Sequence, residues 1–139
     1  MAESDKGAEV LREMLGVRTT YPPDVLKSRQ VLAREAPEYL ELFHQTYMHI
    51  VHERKALSPR IKELIIIAVD AAQFYERGLR SHIKSALLAG ATREEIVEAL
   101  LACSLAAGIH ALSVAMPIFD DVVAEWEREQ ASAAEPPQP

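Results

Sequence analysis

The stretch SPRIKELIIIAVDAAQFYERGLRSHIKSALLAG, residues 58–90, decides the fold class. Ser58 can cap a helix whose first position is taken by Pro59, where the missing amide costs nothing. The run from Leu64 to Ala72 is apolar but for Asp70, and it predicts the central, most buried helix. Gly78 is expected to break or kink that run. A further helix should then cover Leu79–Ala89 and stop at Gly90, a residue suited to the left-handed turn that closes a helix.

Working outward, nearly everything else reads at helical period, with no sustained strand alternation and no Asn-Gly hairpin signal. A short amphipathic helix is expected over 4–15, stopped by Gly16. TTYPPD, residues 19–24, reads as a turn because its prolines lack amide donors and fix φ. Helices should follow from about 24 to 36 and from Pro37 onward, the latter with Tyr39, Leu40, Phe43, Tyr47, Ile50 and Val51 as its apolar stripe. Thr92 and Glu95 stand at capping-box spacing before a helix ending near Gly108. The last helix should span roughly 109–130, kinked or divided by Pro117. The expectation is therefore an all-α chain, with a helical extension over 1–36, a core domain over 37–128 and a disordered tail over 129–139.

The chain has 139 residues, 49% of them apolar and 26% charged, which suits one soluble globular domain. Its formal charge of −6, with scattered cations, argues against a nucleic-acid partner. The single cysteine, Cys103, excludes a disulfide or a CxxC pair within the chain. Cys103 lies among apolar residues and reads as a small core side chain. The polar, charged N-terminus does not resemble a secretory signal, and the longest apolar run, broken by Asp70, is too short to span a bilayer. A cytoplasmic location with no membrane partner is expected.

Five groups of residues invite chemistry. Glu63 sits in the opening turns of the most apolar helix, where burial would fit it for proton transfer. Beside Lys62 it also fits a solvated first-turn glutamate stabilised by the helix dipole. His82 shares a face with Leu79 and Ala86 and should point inward or into a cleft, as a core histidine or as an acid–base group. Arg77 and Arg80 could fork a carboxylate or simply be solvated. His49 and His52, spaced i, i+3, could contribute to a metal site, although no HExxH pattern accompanies them. His110 follows Gly108 at an interhelical junction, where it could line a pocket or cap a turn.

Taken together, SPRIKELIIIAVDAA and LRSHIKSALLAGATREEIVEALLACSLAAGIHAL resemble the carboxymuconolactone decarboxylase family, which includes the AhpD-like alkylhydroperoxidases. The resemblance implies an all-α, AhpD-like helical domain that assembles as a homotrimer or homohexamer. In the peroxidase branch, a glutamate and a histidine flank a CxxC pair. Glu63 and His82 fall on the first two, whereas Tyr75 and Gly78 fall on the cysteines. Neither can form a disulfide or a sulfenic acid, so thiol peroxidase chemistry is not expected.

The decarboxylase branch also lacks the pair, and LRSHIKSALLAG is similar to its corresponding segment. That likeness implies a cofactor-independent lyase or isomerase acting on a small carboxylated or lactone compound. Glu63 and His82 would be catalytic, while Tyr75, Arg80 and His110 would contact substrate. No cofactor is implied. IHALSVA, residues 109–115, departs from the branch's usual run and leaves the substrate open. Alternatives are a non-catalytic ligand-binding member, a metal-binding member and, last, an alkylhydroperoxidase-type antioxidant.

Overall fold

The structure is a computed structural model that describes residues 3–135. Among them are seven α-helices, one short π-helical turn and no strand, as the periodicity predicts. The chain divides into two compact units, Met1–Pro59 and Arg60–Pro139.

The first unit contains α1 (Glu3–Val17), α2 (Pro23–Glu35) and α3 (Pro37–Met48), followed by the π turn His49–Glu53. Proline opens both α2 and α3, where its fixed φ is already helical. The core of this unit is Val10, Met14, Ala33 and Leu40, with Leu11, Tyr21 and Leu32 packed around it. Gly16 lies inside α1 instead of ending it. Gly7 is the glycine that matters there, because a Cβ on it would meet the Ala33 carbonyl oxygen. Only a residue without a side chain lets α1 and α2 approach backbone to backbone.

The first unit takes in α3. Leu40 of α3 is fully buried and joins the same cluster as α1 and α2.

The second unit is built from α4 (Pro59–Ala72), α5 (Glu76–Leu88), α6 (Arg93–Ala107) and α7 (His110–Ala134). Ile67, Leu79, Ile83, Ile96 and Leu100 are completely buried in its core, each contributing about 2 kcal/mol or more of transfer free energy. Helix α6 starts on a true capping box: Thr92 Oγ1 accepts the Glu95 amide at 3.1 Å, and Glu95 Oε2 accepts the Thr92 amide at 2.8 Å. Helix α5 closes at Gly90, whose φ is 88°, with Ala91 N–H donating to Ala86 O and Gly90 N–H to Leu87 O. That is a Schellman closure with glycine at its left-handed position.

The end of α4 corrects the sequence reading. The break lies at Gln73–Tyr75, not at Gly78, which sits within the first turn of α5. The same Schellman pattern recurs, with Tyr75 N–H donating to Asp70 O and Phe74 N–H to Ala71 O. Its left-handed residue is Phe74, with a φ of 54°. Nothing in a phenylalanine announces such a turn, whereas a glycine such as Gly78 does.

Helix α7 runs unbroken through Pro117 to Ala134. It continues into the segment expected to be a tail, because ASAA is good helix-forming sequence and nothing stops it before the prolines. Residues 136–139 of that expected tail lie outside the described residues. No described helix is long and apolar enough to cross a membrane.

Candidate functional site

Helix α4 carries two carboxylates on its buried face. Glu63, Ile67 and Asp70 follow the i, i+4, i+7 spacing that stacks side chains on one side of a helix, and all three are buried. Helix α5 carries His82 one turn beyond Gly78. The two helices meet through these positions: His82 Nδ1 lies 2.7 Å from Glu63 Oε2. The Glu63 side chain is 9% exposed and that of His82 is 13% exposed. Glu63 is thus not the solvated first-turn glutamate that its neighbour Lys62 suggests. Its carboxylate is held inside, against an imidazole.

A carboxylate on one imidazole nitrogen has a definite chemical consequence. With Nδ1 protonated, Glu63 accepts that proton and fixes the ring's orientation. It also stabilises the imidazolium when the ring is charged. A pair of this kind is chemically able to pass a proton.

The other site residues expected from the sequence are dispersed. Tyr75 is half-exposed at the N-cap of α5, and its ring lies against Gly78. Arg80, two residues from His82, falls on a different side of α5, since each residue turns the helix by about 100°. Its guanidinium reaches Asp121 of α7 at 3.3 Å, with both side chains half or more exposed. His110 is exposed as the first residue of α7. Asp121 was invisible as a partner because a helix face says nothing about which distant helix it meets.

The histidines considered for a metal turn to other partners. His49 Nδ1 pairs with Glu53 Oε2 at 2.8 Å, and the His52 ring meets Tyr47 edge-on, with centroids 5.8 Å apart. The π turn that holds them winds wider than an α-helix, so i, i+3 residues no longer stack. Among the described residues no group of three or more His, Cys, Asp or Glu side chains converges as metal ligands. Cys103 is partly buried on α6 and donates its thiol to the Ala68 carbonyl at 3.1 Å.

Comparison with known proteins agrees with this architecture. The chain is 30% identical over 117 residues to the 4-carboxymuconolactone decarboxylase of Acinetobacter baylyi, with 84% of each chain covered. Its fold is similar to that of a candidate carboxymuconolactone decarboxylase from Burkholderia xenovorans LB400. The TM-score is 0.77 at 20% identity, covering 93% of this chain and 99% of that one. Residues 37–121 match the family described as the Carboxymuconolactone decarboxylase family. With a match over most of its length and a relative at this identity, the chain belongs to the carboxymuconolactone decarboxylase family.

Proposed function

We propose that the protein is a cofactor-independent lyase or isomerase acting on a small carboxylated or lactone compound, with His82 as its general acid–base and Glu63 as the group that orients it. The observation that carries this reading is the 2.7 Å contact between His82 Nδ1 and Glu63 Oε2, made by two side chains that are about nine-tenths buried. Burying such a pair is a poor way to stabilise a fold, since apolar replacements of similar volume are often as good or better. A paired carboxylate and imidazole are useful where a proton must move.

The relative from Acinetobacter baylyi is named for 4-carboxymuconolactone decarboxylation, and a carboxylated lactone is the first substrate class to try. In such a reaction the bond from carbon to the carboxylate breaks and carbon dioxide leaves. The electron pair passes into the conjugated lactone, and a proton is delivered to carbon. The His82 imidazolium is the proton donor, Glu63 holds the ring in place, and solvent later restores the proton. Arg80 is proposed as a carboxylate anchor only for a substrate that reaches around α5, since its exposed and exchangeable pair with Asp121 lies on a different side of that helix from His82. Tyr75 and His110 are the further proposed substrate contacts.

Assembly into a homotrimer or homohexamer belongs to the same proposal. Ile61, Ile65 and Val69 form an exposed apolar stripe along α4, and Leu105 of α6 is 92% exposed. Such surfaces suit burial against further copies of the chain.

The experiment is direct: purified protein is incubated with 4-carboxymuconolactone and related carboxylated lactones while carbon dioxide release is followed. Turnover by the parent and its abolition in a folded His82→Ala protein are expected. No release from any of these compounds, or equal release by His82→Ala, would overturn the assignment.

A further inference from the structure

A second buried carboxylate, Asp70, stands on the same face of α4 as Glu63, and the acid–base reading leaves it without a role. It is 8% exposed. Along α4 it lies two turns beyond Glu63, and it faces α5 at Gly78, one turn before His82. The two contacts Glu63–His82 and Asp70–Gly78 therefore run in opposite senses along the two helices. Together they define the register of an antiparallel hairpin.

Gly78 is what makes the second contact possible. A Cβ built on it would lie 2.4 Å from Asp70 Oδ2, 2.6 Å from Asp70 Cγ and 2.4 Å from Tyr75 Cδ1. These separations are far inside van der Waals contact. Tyr75 is half-exposed and has solvent to move into, but the Asp70 carboxylate is enclosed and does not. The conformation of Gly78 is helical, so its backbone does not call for glycine. Glycine within a helix is unfavourable compared with alanine. The volume that a side chain at 78 would fill is occupied by the Asp70 carboxylate.

We propose that Asp70 is a positioning residue for His82: its carboxylate, seated in the space left by Gly78, sets how closely the first turns of α5 lie on α4, and so holds the imidazole at hydrogen-bond distance from Glu63. The lever is short. Gly78 and His82 are separated by about 6 Å along the helix axis, and a hydrogen bond weakens steeply with a displacement of several tenths of an ångström. Asp70 has no part in the proton transfer itself. Its consequence for turnover rests on the proposed role of the pair, but its effect on the geometry of His82 does not.

The test reads His82 directly and needs no substrate. Full-length protein carrying ¹⁵N-labelled histidine is observed by NMR, with the Nδ1 proton of His82 assigned by its loss in His82→Ala. Asp70→Ala, Gly78→Ala and the Asp70→Ala/Gly78→Ala double variant are compared with the parent. In each single variant, solvent exchange of that proton is expected to accelerate about tenfold or more, the change that accompanies opening of a charge-assisted hydrogen bond. In the double variant the new methyl enters the space vacated by the carboxylate, and exchange should return most of the way to the parent rate. Melting curves accompany each variant. If Gly78→Ala does not fold, Asp70→Ala and the double variant still form a rescue pair. Unchanged exchange in Asp70→Ala, whatever its melting temperature, would overturn the proposal. So would a double variant no better than Asp70→Ala. Failure of the parent to turn over a lactone would leave these exchange rates, and this inference, unaffected.

Discussion

Oε2 of Glu63 and Nδ1 of His82 lie 2.7 Å apart, joining two helices through side chains separated by 19 positions in the chain. Each is polar, each is enclosed, and each is the other's means of being so. Removing one partner leaves a buried polar group without its hydrogen bond, which costs more than the bond itself contributes.

Glu63→Ala is therefore expected to lower stability by about 1–3 kcal/mol, read as a shift of the urea midpoint at unchanged slope. Glu63→Gln keeps an acceptor oxygen of the same shape and should lose less stability. Its turnover should nevertheless fall by about a hundredfold or more, because a neutral amide cannot support the imidazolium. A Glu63→Gln protein with parental activity would remove Glu63 from the proton-transfer site.

The capping box at the start of α6 has a smaller and more local effect. Thr92→Ala should cost about 1 kcal/mol through loss of the 3.1 Å bond to the Glu95 amide. Glu95→Ala should cost more, since Glu95 Oε1 also accepts from Arg60 at 2.8 Å. Equilibrium unfolding of the two variants side by side tests the order. A larger loss in Thr92→Ala would contradict it.

Gly7→Ala should disturb the first unit, because its Cβ would meet the Ala33 carbonyl, a backbone atom with no rotamer to change. Overpacking of this kind costs about 1–3 kcal/mol. Hydrogen exchange is the sharper readout: amides of α1 should lose protection while those of α5 keep theirs. Equal protection of α1 in parent and variant would show that the two helices can separate without penalty.

Leu105→Asp tests the proposed assembly. On an isolated chain the substitution is nearly free, because Leu105 is almost fully solvated. Inside a subunit interface it would replace about 2 kcal/mol of apolar burial with a buried charge. Light scattering should find the parent as a trimer or hexamer and the variant as a smaller species of unchanged helical content. A monomeric parent at micromolar concentration would end the proposal.

The helix starts were legible in the residues themselves. Pro37 and Pro59 open helices, and Thr92 with Glu95 opens another, because each signal is completed within a few residues of chain; Pro23, read as part of a turn, opens α2 as well. Gly90 closes α5 for the same local reason. The all-α class follows from period alone. The family resemblance also singled out Glu63 and His82 and made Glu63 the partner or relay of His82, a pairing whose distance only the fold supplies.

What the tertiary structure decided was every relation across helices. Spacing put Glu63 beside Lys62 at a plausible solvated edge; packing against α5 enclosed it with His82. Spacing made Gly78 a helix breaker; the fold ended α4 at Ala72 with a turn through Phe74, and the place of a Gly78 side chain is taken by Asp70 and Tyr75. Arg80 looked like a neighbour of His82, yet it turned to Asp121 on α7. Local backbone preferences are written in neighbouring residues, so the sequence alone determined the helical class and the helix starts that carry a local signal, such as Pro37, Pro59 and Thr92. The partner that a buried charge meets depends on how helices distant in the chain are brought together, and only the folded molecule decides that.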